Sequence, residues 1–189
     1  MKLAAVVVVA LLVGIVAGWV GHGFWNNGTT DHEVQKTFDG VSRANKAVDS
    51  AVTVGVAYQK FADLVQNFAT EISVAKDKVK SQQETEIFQA FTDVLGIYSD
   101  TLRIWSAQIS RADMQQYLAR EDLGKILIDQ NLVDLAKKYE LPVHQVKYRF
   151  SGITNPALPA NSLSVLLAKA HTRTEEANKL LFGKPDAPN

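Results

Sequence analysis

Hydrophobic and polar positions follow three patterns along this chain, and each predicts a different kind of element. From Leu3 to Val20 (LAAVVVVALLVGIVAGWV) no side chain is charged. A helix of that length extends about 27 Å, close to the thickness of bilayer hydrocarbon. Further on, Val41, Ala44, Val48, Ala51, Gly55, Tyr58, Ala62, Val65, Ala69 and Ile72 recur at spacings of three and four, which is the seam of a helix packed against a neighbour. Phe61 and Phe68 widen that seam. Thr53-Val54-Gly55-Val56 is β-branched around a glycine, so the run can kink or split there. Ile87, Phe91, Val94, Tyr98, Leu102, Trp105 and Ile109 form another apolar face at the same helical period.

Start and stop signals fit these patterns. Thr30-Asp31-His32-Glu33 and Ser81-Gln82-Gln83-Glu84 are capping boxes, in which a hydroxyl and a carboxylate each satisfy an orphan amide at a helix start. The short connection Lys80 to Gln83 makes the helices on either side antiparallel neighbours. If the first arm runs unbroken to Lys80, it extends about 72 Å. A shorter helix is expected from Met114 to Ile128, and Asp129 can cap another through Tyr139. Pro142 sits where a first-turn proline is tolerated and predicts a helix to about Phe150. Ser151 to Pro159 (SGITNPALP) reads as a loop, and Asn161 or Ser162 can cap a last helix closed by Gly183 and Pro185. No convincing strand pair and no long-period repeat is predicted. The expected fold class is therefore all-α: an N-terminal transmembrane helix followed by an extracytoplasmic helical bundle with a long antiparallel hairpin. The expected divisions are an anchor at 1–25, a flexible linker at 26–30, an all-helical domain at 31–183 and a disordered tail at 184–189.

Flanking residues orient the apolar segment. Trp19, Phe24 and Trp25 cluster at its far end, Lys2 lies at its near end, and the next basic residue is Lys36. This asymmetry keeps the N-terminus in the cytoplasm and exports the chain beyond Trp25. The competing expectation is a cleaved signal peptide ending near Val16-Ala17-Gly18. Its apolar stretch would usually run about 7 to 15 residues and end in a clearer small-x-small site. Ala10, Gly14 and Gly18 share one helical face and would allow a second membrane helix to approach closely.

Composition then narrows the chemistry. Twenty basic against 20 acidic residues give a formal net charge of zero and a pI near 6.9, so no single-sign field steers the chain toward nucleic acid. Without cysteine there is no disulfide framework, thiolate metal site, cysteine nucleophile or lipoprotein anchor. His32-Glu33-Val34-Gln35-Lys36 begins like the zinc-protease helix H-E-x-x-H, but a lysine stands at the second ligand position and cannot coordinate zinc. His22, His144 and His171 have no ligand spacing, and neither a metal nor another cofactor is expected. Glu84 and Asp93 on one helix would point to opposite faces about 13 Å apart along the axis, too far to flank one glycosidic bond.

One segment is a candidate ligand or partner surface. Lys137, Lys138, His144, Lys147 and Arg149 interleave with Tyr139, Tyr148 and Phe150. Anionic headgroups, acidic wall polymers or a partner's carboxylates suit such a patch, at about 1 kcal/mol per basic residue near an anionic membrane. The competing expectation is a solvated helix face with its aromatics turned inward. The run from Leu135 to Phe150 resembles a helix-turn-helix, with Ala136 at the close-packed position and Val146 on the second helix. It departs from that motif at Glu140, where a turn glycine is usual, and an exported domain meets no chromosome. The expected function is a membrane-tethered, non-catalytic interaction or scaffold protein of the cell envelope. It would be held by the bilayer through residues 3–20 and contact a second copy or an envelope partner. Phage inner-membrane spanins are similar in plan, with one N-terminal span and an exported helical rod, but share no motif with this chain. A cell-wall-modifying hydrolase with carboxylates from different helices and a small-ligand carrier are the alternatives.

Overall fold

The computed structural model describes residues 29–183. The expected span at Leu3–Val20, its packing face of Ala10, Gly14 and Gly18, most of the expected linker and the tail at 184–189 lie outside the described residues. Among the described residues, no helix is long and apolar enough to cross a membrane.

The chain is mostly helical, with a few short strands. Helices α1 (Thr29–Val54), α2 (Tyr58–Lys76), α3 (Gln82–Ser110) and α5 (Ser162–Phe182) form an up-down-up-down bundle. The remainder, inserted between α3 and α5, holds α4 (Gln130–Lys138) and strands β1 (Ile126–Leu127), β2 (His144–Lys147) and β3 (Thr154–Leu158). Phe61 lies against Tyr98 while Phe68 lies against Phe91, so α2 and α3 run antiparallel. Arg173 reaches Asp93 and Asn45 reaches Thr174, which brings α5 alongside both α3 and α1.

The expected hairpin thus acquires an additional fold. Gly55 takes a φ of 84°, a left-handed backbone that glycine adopts without a Cβ penalty, and α1 ends one residue before it. The run from Val41 to Ile72 is therefore two helices folded against each other, not one long rod. Val41, Ala44 and Val48 on α1 and Val65 and Ile72 on α2 are buried in the bundle core. Ala51, Tyr58, Ala62 and Ala69 are half-buried, and Gly55 lies in the break. The seam is consumed inside the molecule.

Capping explains the next turn. The Ser81 hydroxyl accepts from the Glu84 amide, and the Glu84 carboxylate accepts from the Ser81 amide and hydroxyl, from the Lys80 amide and from Thr37 of α1. Hydrogen bonding from the Lys80 amide, opposed by burial and supported by Ser81 and Thr37, holds this carboxyl below the usual range. Glu84 is thus occupied at a helix start, and Asp93 is ion-paired to Arg173 at 2.6 Å.

The insertion corrects the all-helical expectation. Met114 to Ile128 forms not a helix but two 3-10 turns, Ala112–Tyr117 and Arg120–Asp122, followed by β1. Pro142 opens no helix; β2 comes after it, so the second helix of a helix-turn-helix is missing. The expected loop at 151–159 contains β3, which pairs antiparallel with both β1 and β2 in the order β1-β3-β2. A proline in a central strand is unusual, because it has no N–H to give. Here the Pro156 carbonyl accepts from the Ile128 amide just beyond the end of β1, where the chain is already leaving the sheet. The missing donor therefore falls where little ladder remains to be lost.

Residues Asp129 and Glu140 frame α4. Asp129 accepts from the Leu132 amide at 3.1 Å as the expected cap. At the other end Glu140 has a φ of 58°, the Glu140 amide donates to Lys137 and the Leu141 amide donates to Ala136. This is a Schellman closure made with glutamate where glycine is favoured.

Candidate functional site

The insertion is joined to the bundle by a core of Ile104 and Ala107 from α3, Leu166 from α5, and Ile126, Ile128, Leu132, Leu135 and Leu158 of its own. Beyond that, Leu118, Leu127, Val146 and Ala157 make a small separate cluster, with Met114 and Tyr148 partly covering it. Asp122 is buried and accepts from Lys125 at 2.7 Å and from the Lys147 amide at 3.4 Å. The Lys125 hydrogen bond, outweighing burial, keeps its carboxyl below the usual range. These contacts hold the end of β2 where the loop of the β2–β3 hairpin begins.

At its tip, the Tyr148 amide donates to the Ile153 carbonyl at 3.0 Å and closes a loop of Arg149, Phe150, Ser151 and Gly152. Gly152, at a φ of 69°, supplies the turn. The Arg149 amide donates to Tyr117 at 2.9 Å and the Ile153 amide to the Ser151 hydroxyl at 3.3 Å. Apolar side chains at this tip face outward: Phe150 is 87% exposed and Ile153 59%, and Tyr117, at the end of the adjoining 3-10 turn, is 45% exposed. Together with Met114, Tyr148 and Ser151 they line a shallow depression of about 270 Å³. Scattered surface apolar residues are ordinary, whereas these adjoin one another around a single depression.

The basic segment expected to form one surface is divided. Lys138 and Tyr139 both bind Asp100 of α3, each at 2.8 Å, with the Lys138 ammonium 4.8 Å over the Tyr139 ring. Burial pushes the Asp100 carboxyl up, but hydrogen bonds from Lys138 and Tyr139 and the charges of Lys138 and Arg103 bring it below the usual range. Tyr139 is buried, and Lys137 pairs with Asp134 at 3.2 Å. Lys138 and Tyr139 thus clamp the end of α4 to the bundle, while the Lys137 pair stays within α4. His144, Lys147, Tyr148 and Arg149 instead belong to β2 and the hairpin tip, where Lys147 and Arg149 are exposed. Neither forms an ion pair with a described residue. The sequence pattern missed Met114, Tyr117 and Ile153. Alternation of apolar and polar residues over Val146–Phe150 was the one signal for a strand ending in an exposed ring.

A second depression, about 450 Å³, runs along the C-terminal turns of α3 and the start of α4, with Tyr58, Arg103, Ser106, Ser110, Arg111 and Asn131 among its walls. Its arginines already face acids: Arg103 lies 3.4 Å from Asp100 and Arg111 3.2 Å from Asp129. Their charges are balanced in place, which leaves the hairpin tip with the better unspent recognition chemistry.

No family model matches this chain, and neither the curated proteins nor the solved structures give a match.

Proposed function

We propose that this chain is a membrane-tethered, non-catalytic interaction protein of the cell envelope, held by residues 3–20 with its helical domain exported, and that it works through the hairpin tip. The observation that carries this reading is the exposed pair Phe150 and Ile153 on a hairpin loop closed by backbone hydrogen bonds, with exposed Tyr117 of the adjoining 3-10 turn beside them. An ordered loop presents such groups without the ordering cost that a floppy segment meets on binding. The uncharged stretch Leu3–Val20, with Trp19 and Trp25 at its far end and Lys2 before it, supports the tether and its direction. Interior use of the Val41 to Ile72 seam removes the seam as the contact surface and moves that role to the tip.

Two measurements on the full chain in its own cells test this reading. Carbonate washing is expected to leave the protein in the membrane fraction, and protease added outside the cytoplasmic membrane is expected to digest the part beyond Trp25. A photoreactive side chain at Ser151 is expected to crosslink to something outside its own chain, whereas one at exposed Lys60 on α2 is not. A carbonate-soluble protein, or one shielded until lysis, overturns the tether; crosslinks confined to the same chain overturn the docking role.

Small-ligand carriage is a second reading, favoured by the groove beside Tyr58, Arg103 and Arg111. Native mass spectrometry of protein purified from its source, showing a retained ligand lost on Arg111→Ala substitution, would support it.

A further inference from the structure

We infer that the hairpin tip docks on an anionic lipid surface opposite the one that holds the N-terminus; this rests on the tethered reading proposed above. Position comes first. The described chain enters the bundle at the end where Thr37 of α1 meets Glu84 at the start of α3. The insertion leaves from Ser110 at the other end of α3, whose 29 residues separate the two by about 43 Å. The tip therefore lies at the end of the bundle remote from the entering chain.

The chemistry of the tip fits a lipid interface in three ways. First, Phe150 and Ile153 protrude, with most of their surfaces free, as side chains that enter the headgroup boundary do. Second, from His144 to Leu158 the hairpin carries Lys147 and Arg149 and no Asp or Glu, so its formal charge is positive. Both cations lack a described carboxylate partner and have long apolar stems, which lets the head reach phosphate while the stem stays beside the rings. Third, backbone amides become costly on leaving water unless bonded. Those of Tyr148, Arg149 and Ile153 already donate within the insertion. A protein partner would more naturally fill a deep pocket with an anchor of its own, and the depression here is shallow and opens outward.

The experiment uses the full chain reconstituted through its N-terminus into phosphatidylcholine vesicles. These are mixed with protein-free vesicles, labelled with a second dye, that contain either phosphatidylcholine alone or about one third phosphatidylglycerol. Energy transfer between the dyes reports docking. Docking is expected with the anionic vesicles only, to fall at least tenfold for the Phe150→Ser/Ile153→Ser variant, and to fall with Lys147→Gln/Arg149→Gln and with added salt. An unchanged thermal unfolding curve for these variants shows that the fold is retained. Absence of docking to anionic vesicles, or docking untouched by the Phe150 and Ile153 changes, overturns the inference. Clustering only among protein-bearing vesicles also overturns it and assigns the tip to a second copy. If the chain fails to enter the first vesicles, the tether reading falls. Flotation of the same protein with anionic vesicles then decides the tip, with loss of flotation in the Phe150/Ile153 variant expected.

Discussion

The bundle and the insertion are built from similar kinds of helix-forming and apolar sequence, yet they hold together differently. In the bundle, rings dominate: Phe38 and Phe68 both pack on Phe91, while Phe61 and Phe68 meet Tyr98 edge-on. All five are essentially buried and come from three helices, so any one helix leaving would expose the faces of the others. The insertion has smaller cores and relies on particular polar contacts, with Asp100 clamping α4, Asp122 pinning β2 and Gln115 holding Gly124 and Lys125. Truncating a ring in a close-packed cluster leaves a cavity, whereas removing one partner of a buried hydrogen bond leaves the other unsatisfied. The difference teaches what each region depends on: the bundle on packed rings, the insertion on particular polar contacts that fix its short elements.

Substitution of Phe91 by alanine tests that division most severely. It should cost about 3–5 kcal/mol by urea unfolding, whereas Phe150→Ala should stay within about 0.5 kcal/mol. Comparable effects at the two phenylalanines would erase the contrast. Next, Asp100→Ala leaves the buried Tyr139 hydroxyl without its acceptor and should cost about 2 kcal/mol. Hydrogen exchange should show it concentrated in the amides of α4, with the α1 and α2 amides little changed; uniform acceleration would mean that insertion and bundle open as one unit. At the bundle's turn, Ser81→Ala should cost about 1 kcal/mol by the same unfolding measurement, through loss of the cap. In the insertion, Glu140→Gly should stabilise by up to about 1 kcal/mol, because glycine takes the left-handed backbone without strain. A destabilised Glu140→Gly variant would show that the glutamate side chain contributes something the closure geometry does not.

The smallest expected effect belongs to His171 of α5, whose ring lies 2.9 Å from Asp49 of α1 and 3.8 Å from Glu175. The Asp49 hydrogen bond, opposed by burial and helped by both carboxylate charges, raises its pKa above the usual 6.5. The folded state therefore binds the proton more tightly than the unfolded one. Its contribution is fully present below about pH 6.5 and is lost as pH rises through the higher folded value. Thermal melting of His171→Gln, compared with the parent from about pH 6 to 8, should remove that part of the pH dependence. A parent whose stability rises across this window from the same residue would have the sign reversed.

How much is legible in the sequence differs between the same two regions. In the bundle, Ser81 with Glu84 and Gly183 after α5 stand where a cap and a stop are expected, while Asn161 holds the N-cap position of α5 without a side-chain cap bond; in the insertion, Asp129 caps α4 as expected. The break at Gly55 is legible as a kink or a split, but not as the reversal that turns one seam inward. The insertion escapes such a reading because its strands run only two to five residues, too short for a period of two to separate from a period of 3.6. Thr154-Asn155-Pro156-Ala157-Leu158 carries two residues that favour loops, and its β1 partner is some 30 residues away in the chain. The basic patch fails for a related reason. Adjacency in sequence places Lys138 beside Lys147, but a carboxylate 38 residues away on α3 claims the first and leaves the second exposed.

By itself, the order of residues settled the helical character of the domain, most of its helix ends and the absence of sulfur chemistry at cysteine, because caps, periodicity and composition act over a few residues at a time. Tertiary structure decided that α1 folds back on α2, that three short strands pair as β1-β3-β2, and that Phe150, Ile153 and Tyr117 meet on one outward-facing tip. Those outcomes depend on which distant surfaces exclude water together. Such a choice is made by the whole packed chain and is not encoded in any local stretch.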